Sequence, residues 1–221
     1  LAAQVAVTVS VADPRFDFEV NALGTFNVCE ALREANRDAL LLYASTNKVY
    51  GGMEDVGVRE ASGRYCYADL PQGVPESRQL DFHSPYGCSK GAAEQYVIDY
   101  SRIYGIRSVS FRQSCIYGYR QFGIEDQGWV AWFILNAVRG NEVTIFGDGK
   151  QVRDVLFIDD LVACYQAAFA KIDAVSGAAF NIGGGPENVL SLLELIGFIR
   201  DRFGVELRHR FGDWRPGDQK V

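Results

Sequence analysis

Tyr86 and Lys90 stand four residues apart in Tyr86-Gly87-Cys88-Ser89-Lys90, and on a helix that spacing sends both side chains to one face. A phenol, with a pKa near ~10, is a poor base at neutral pH, but a neighbouring ammonium favours the phenolate and brings it toward acid/base range. The same spacing equally serves a surface pair on a solvated helix, so a third group matters. One stands in Ser45-Thr46-Asn47-Lys48-Val49-Tyr50-Gly51, directly after the apolar run Leu40-Leu41-Leu42-Tyr43-Ala44. Hydroxyls at the carboxyl end of a parallel strand sit where open α/β sheets bind ligands; a turn or helix cap is their plainer use.

The elements that would position these groups are readable from periodicity. The run Leu40–Ala44 is short and apolar on both faces, as a central parallel strand must be. From Tyr86 to Tyr104 the set Ala93, Tyr96, Val97, Tyr100 and Ile103 repeats at helical spacing before Gly105, which predicts a helix and its stop. Residues 17–36 predict an amphipathic helix, and residues 1–7 the end of a buried strand with its turn. Residues 51–84 are read as loop. Strand at Ser108–Phe111, helix over 127–139, strand at Val155–Ile158, helix opening at Asp159 or Asp160, strand at Ala179–Ile182 and helix around 190–203 continue the alternation. The two aspartates are read as cap and dipole partners. This βαβα rhythm predicts a parallel sheet covered by helices.

Composition narrows the chemistry. The 221 residues are 48% hydrophobic and 23% charged, as in globular domains rather than disordered or fibrous chains. A net charge of −6 without a Lys/Arg block disfavours nucleic acid as a partner. No apolar run approaches the ~18 residues of a membrane span, so no membrane partner is expected. Cys29, Cys66, Cys88, Cys115 and Cys164 are odd in number and scattered, which argues against a disulfide framework and for a cytoplasmic location. With two histidines, His83 and His209, and no ligand spacing, no metal is expected.

Taken together, the strand-end hydroxyl, Tyr86 and Lys90 resemble the extended short-chain dehydrogenase/reductase superfamily, the NAD-dependent epimerase/dehydratase family. Leu1-Ala2-Ala3, Asn21 with Gly24-Thr25-Phe26-Asn27, Ser84-Pro85-Tyr86-Gly87-x-Ser89-Lys90 and Arg215-Pro216-Gly217-Asp218 carry the resemblance along the chain. Leu80–Gly91, Ser45–Gly51 and Asp126-Gln127-Gly128-Trp129-Val130 are similar to members that epimerise C2 of a CDP-linked deoxysugar. The resemblance implies a Rossmann-like doubly wound parallel sheet, truncated at its N-terminus, with a smaller substrate-binding lobe. Residues 1–118 are the expected remainder of the NAD-binding domain, and 119–221 the lobe, interleaved with the last Rossmann strands at about 153–185.

In such enzymes NAD removes hydride from C2 and returns it to the other face of the ketone, without net redox. The resemblance makes Tyr86 the acid/base and Lys90 the group that lowers its pKa and holds the nicotinamide ribose. Thr46 bonds the reacting hydroxyl. It also implies cofactor contacts at Leu1, Ala2, Ala3 and Ser45, and substrate contacts at Asn47, Cys115, Arg153 and Arg215. The two arginines suit a diphosphate, though either also reads as a solvated surface residue. Cys115 reads as a packing thiol, His83 as either substrate contact or loop anchor, and Trp129 and Trp132 as core. A homo-oligomer is implied for the full-length parent.

Two departures qualify the resemblance. Dehydratases of the family carry Asp-Glu after the threonine, where Asn47 and Lys48 stand here. No glycine fingerprint follows a first strand, and Gly183-Gly184-Gly185 falls too late; the chain is therefore expected to be an internal fragment. A sugar-nucleotide 4-epimerase, dehydratase or decarboxylase, a non-catalytic dinucleotide sensor and an inert truncation product are the competing readings.

Overall fold

The computed structural model describes residues 2–36, 38–215 and 217–221. In chain order its elements are α1 (Val7–Ala12), α2 (Pro14–Phe18), a π-helical turn (Glu19–Leu23), α3 (Gly24–Ala35), β1 (Leu40–Thr46), a 3-10 turn (Asn47–Tyr50), β2 (Val58–Ala61), β3 (Arg64–Tyr67), α4 (Ser84–Tyr104), β4 (Arg107–Gln113), β5 (Cys115–Tyr117) and α5 (Trp129–Arg139). Then come β6 (Val143–Phe146), β7 (Val152–Phe157), α6 (Ile158–Ala170), α7 (Ile172–Val175), β8 (Ala179–Ile182), β9 (Val189–Ser191), α8 (Leu192–Phe203) and β10 (His209–Gly212). None of the helices is long and apolar enough to cross a membrane among the described residues.

The chain divides into two compact units. The first comprises Leu1–Gly51, Pro75–Ser114 and Asp159–Ile182. Its sheet has the order β1-β4-β8, both pairings parallel, so β4 is central. Helix α4 covers it, with Ala93, Val97 and Tyr100 packed against Tyr43, Ile106 and Cys29; burial pushes the Cys29 thiol up to about 11, as for an inert packing group. Gly105, at φ +70°, ends α4 in the left-handed conformation that glycine adopts without a Cβ clash.

The second unit comprises Gly52–Val74, Cys115–Ile158 and Gly183–Val221. Its strands pair as β5-β7-β9, β10-β6 and the hairpin β2-β3. Val130, Phe133, Ile145, Val155, Leu195 and Ile199 form its core. Helix α8 opens with a reciprocal capping box between Ser191 and Glu194.

Five expectations are corrected. Residues 1–7 do not finish a strand: Ala2–Ala6 are irregular and Val7 opens α1, while Leu1 lies outside the described residues. The helix expected over 17–36 starts earlier and is interrupted by the π-turn, beside which the Thr25 hydroxyl donates to the Asn21 carbonyl at 2.7 Å. The segment 51–84 contains the β2-β3 hairpin, closed by Ser62 and Gly63 at φ +54° and +79°, both positive as a type I′ turn requires. The strand expected at Val155–Ile158 exists as β7, but it lies between β5 and β9 in the second unit, while β8 joins β4 in the first. Residues 52–74, placed with the first region on sequence alone, also belong to the second unit.

Candidate active site

The site in the first unit begins where β1 ends. Thr46 closes the strand in extended conformation, and its Oγ1 accepts the Lys48 N–H at 3.2 Å, capping the 3-10 turn. Ser45, one residue earlier, is buried, and its Oγ has no protein partner. Gly51 must be glycine: its φ is +70° and a Cβ there would stand 2.3 Å from the Asp81 carbonyl oxygen. That close approach, with Asp81 N–H donating to the Val49 carbonyl at 3.0 Å, fixes the turn beside the chain that leads into α4.

Helix α4 supplies the other two groups. Ser84 Oγ accepts the Gly87 N–H at 3.2 Å while Pro85 occupies the first turn, so the Ser-Pro pair starts the helix. Tyr86 follows, half-buried, its hydroxyl hydrogen-bonded to that of Thr46. One turn on, Lys90 is buried, with Nζ 4.4 Å from the centre of the Tyr43 ring, and the Tyr43 hydroxyl donates to the Lys90 carbonyl at 3.2 Å. The ring face attracts the ammonium. Thr46, Tyr86 and Lys90 are thus gathered in one unit by two elements, β1 and α4.

The electrostatics differ from the expected simple depression of the phenol by Lys90. Burial pushes Tyr86 above its ordinary value, the Thr46 hydrogen bond opposes this, and the Asp17 carboxylate adds to it. Burial also pulls Lys90 down to about 8, against the upward pull of Asp17 and Glu94. Lys90 so placed is mainly an ammonium at neutral pH. The balance is set by desolvation, which spacing along a helix does not reveal.

Glu94 continues the face carrying Tyr86 and Lys90. Fully buried, it receives Arg112 Nη2 at 2.6 Å, Arg112 Nε at 3.0 Å and Ser110 Oγ at 3.3 Å, all from β4. Arg112 Nη1 also donates to the Tyr50 hydroxyl at 2.7 Å, and that hydroxyl donates to Asn181 Oδ1 at 2.7 Å. The network joins α4, β4, the 3-10 turn and β8, the elements that hold the site. Sequence reasoning missed Asp17, Glu94 and Arg112; for Glu94 the available signal was its place four residues beyond Lys90.

The remaining candidates fall elsewhere. Asn47, exposed, begins the 3-10 turn with Oδ1 3.4 Å from Thr46 Oγ1. Ala2 and Ala3 are exposed. His83 is exposed, its Nε2 3.1 Å from Asp81 Oδ2. Cys115, Arg153 and Arg215 belong to the second unit. Cys115 packs on that unit's core beside Trp129 and Trp132. Arg153 Nη1 donates to the Val152 and Gln219 carbonyls, both at 2.7 Å, and Nη2 lies 3.9 Å from Asp218. Arg215, whose carbonyl accepts the Asp218 N–H at 3.1 Å, bonds Asp126 at 2.8 Å and stacks 3.6 Å above Phe146. The two arginines therefore meet at the segment that holds Asp218 and Gln219; Pro216 lies outside the described residues. Asp159 and Asp160 stand in the first turn of α6, on the side favoured by its dipole.

The buried, partnerless Ser45 hydroxyl and an ammonium held only against a ring face are groups able to bond a polar ligand carrying hydroxyls, and a cofactor with a ribose fits that donor set.

Comparison with known proteins bears on the same residues. The model of the "NAD dependent epimerase/dehydratase family" matches residues 1–183. The chain is 49% identical over 226 residues to CDP-paratose 2-epimerase of Salmonella typhi, covering 100% of this chain and 67% of that protein. It is 33% identical over 220 residues to UDP-glucose 4-epimerase of Mycolicibacterium smegmatis, covering 99% and 63% respectively. The crystal structure of UDP-glucose 4-epimerase from Thermus thermophilus in complex with NAD superposes with a TM-score of 0.80 at 30% identity, over 100% of this chain and 66% of that one. The chain thus spans about two thirds of the length of the relatives it matches.

Proposed function

Because the chain belongs to the NAD-dependent epimerase/dehydratase family, we propose that it carries the acid/base centre of a nucleotide-sugar epimerase that inverts C2 of a CDP-linked deoxyhexose. The observation that carries the chemistry is the Thr46–Tyr86 hydrogen bond at the end of β1, with buried Lys90 one helical turn beyond. The choice of sugar leans on the relative that is 49% identical, whose name specifies CDP-paratose, against 33% for the 4-epimerase.

NAD, when bound, supplies a hydride acceptor that becomes a donor within the same turnover, so the reaction is redox-neutral. Ser45, Tyr86 and Lys90 are the residues proposed to hold it. Tyr86 takes the proton from the reacting hydroxyl and later returns it, while Thr46 holds the oxygen on which charge develops. A phenol raised by burial needs a cation close by to act as a base, and Lys90 is that cation. Asn47 and Lys48 offer no carboxyl group for the elimination of water, which favours epimerisation over dehydration.

In the second unit, Arg153 and Arg215 are proposed as the diphosphate ligands. Arg215 would exchange its bond to Asp126 for a phosphate oxygen. The first unit is proposed as the cofactor-binding part and the second as the sugar-nucleotide lobe. The cysteines are free and suit a reducing cytoplasm; self-association is proposed on the family resemblance alone.

The test uses the full-length enzyme with CDP-paratose, CDP-glucose, dTDP-glucose and UDP-glucose, each product being identified by NMR of the sugar. Inversion at C2 of CDP-paratose is expected, and a 4-keto-6-deoxy product would overturn the proposal. Tyr86→Phe is expected to lower kcat about 10²–10⁴-fold with an unchanged melting curve. Near-normal turnover would remove Tyr86 from its role.

A further inference from the structure

Asp17 is a fully buried carboxylate on the short helix α2. Its Oδ1 accepts Gln4 Nε2 at 2.9 Å and Asn21 Nδ2 at 3.1 Å, and its Oδ2 accepts the Ser89 hydroxyl at 2.5 Å. Ser89 is the residue before Lys90, and its Oγ also lies 3.2 Å from the Tyr86 carbonyl oxygen. Gln4 and Asn21 are themselves fixed, the Gln4 N–H donating to Asn21 Oδ1 at 3.1 Å and Asn21 Nδ2 to the Gln4 carbonyl at 2.9 Å. A carboxylate held by so many donors does not swing away. Hydrogen bonds offset part of the cost of burying it, but without a cation in contact the cost stays above that of a neutral side chain, so its presence calls for a purpose.

The purpose lies on α4. Lys90 is buried, and among the described residues no carboxylate stands within ion-pair distance of its Nζ; a π face is its only close partner. The charged and titratable groups around it are Asp17 from α2, Glu94 and Tyr86 on α4 itself, and Tyr43 from β1. Glu94 is already engaged by Arg112 from β4. Glu30 on α3 turns instead to Arg33 and Tyr100, and Cys29 on α3 is a buried thiol. Asp17 is therefore the carboxylate near Lys90 that no cation neutralises.

We propose that Asp17 is a positioning residue of the Tyr86/Lys90 site: through its hydrogen bond to Ser89 it fixes the first turns of α4, and with them the placement of the Tyr86 and Lys90 side chains. This deepens the acid/base reading of Tyr86 and rests on it. Without the carboxylate, the upward pull on both Lys90 and Tyr86 is lost. Lys90 then gives up its proton at lower pH, and Tyr86 ionises at lower pH. Both limbs of the pH–rate profile move in the same direction, which a purely structural residue would not cause.

The experiment compares Asp17→Asn, Ser89→Ala and Tyr86→Phe in the full-length enzyme, each checked by thermal melt. Asp17→Asn is expected to lower kcat about tenfold, to leave KM for the sugar nucleotide within about twofold, and to shift the whole pH–rate profile toward acid by about half a unit or more. Ser89→Ala keeps the charge and loses the tether, so kcat is expected to fall several-fold with the profile unmoved. A folded Asp17→Asn enzyme with the parental profile overturns the proposal. Should Asp17→Asn not fold, a Ser89→Ala enzyme of parental kcat overturns it, and one with reduced kcat supports it. Tyr86→Phe separates the two levels. An active Tyr86→Phe enzyme refutes the acid/base reading, whereas an inactive one beside an unaffected Asp17→Asn enzyme refutes only the role of Asp17.

Discussion

The first unit contains an arginine–glutamate pair, Arg112–Glu94, at 2.6 Å, and the second another, Arg64–Glu194, at 2.7 Å. Chemistry and length are the same, but the surroundings are opposite. The side chains of Arg112 and Glu94 are 6% and 0% exposed, those of Arg64 and Glu194 33% and 30%. A pair that keeps about a third of its side-chain surface in water is partly screened and contributes modestly. A buried pair contributes little as a pair but a great deal once broken, because the surviving charge has no solvent to retreat to. The first unit uses this intolerance to fix α4 on β4, and so to place Tyr86 and Lys90. The second uses its pair to brace β3 against α8, where the serine–glutamate cap already holds the helix start.

Three measurements sharpen or break this contrast. Arg112→Met strands the Glu94 carboxylate in the core and is expected to cost about 3–5 kcal/mol in denaturant unfolding; a cost below that of a surface pair would mean that the network does not govern the first unit. Next in size is the pH dependence contributed by Lys90, whose pKa is about 8 in the fold against an ordinary 10.5. The unfolded chain binds the proton more tightly than the folded one, so the penalty for burying the ammonium is full below the folded value and fades as pH rises toward the unfolded one. The unfolding free energy of the wild type is therefore expected to rise by about 2 kcal/mol relative to Lys90→Met between about pH 7 and about pH 9.5. A constant difference would place Lys90 in solvent. Smallest is Glu194→Ala, which removes a half-buried, water-accessible pair and half of a capping box. It is expected to cost about 1 kcal/mol, and its Arg64 component should shrink in high salt.

Much of the first unit was legible because its elements carry strong periodic signals. The apolar run at Leu40 marked β1, and the repeat from Ala93 to Ile103 with Gly105 marked α4. Thr46, Tyr86 and Lys90 followed from those two placements. Asp17 was not legible, since a charge on an amphipathic helix reads as its wet side, and here that position is buried by α4. The β2-β3 hairpin was overlooked for a related reason: Val58-Arg59-Glu60-Ala61 lacks the apolar alternation of a core strand, although Ser62-Gly63 before Tyr65-Cys66-Tyr67 was a turn signal. The partners of β7 were beyond any pattern, because a strand buried on both faces looks alike in either sheet. The joining of Arg153 to the turn at Arg215 is a contact across distant parts of the chain, which spacing cannot express.

The order β1-β4-β8 also bears on how the first unit comes together in time. Leu40 lies opposite Arg107, and Ser110 opposite Ala179, so each pairing closes a loop of roughly seventy residues before any ladder bond rewards it. Neither pairing can form by a local hairpin. Helix α4 runs straight into β4 and can dock on it early, as a local event, leaving β1 and β8 to be captured from either side. Chains interrupted at that stage would show the bare edges of β4, so refolding yield should fall steeply with protein concentration even where the finished structure is stable.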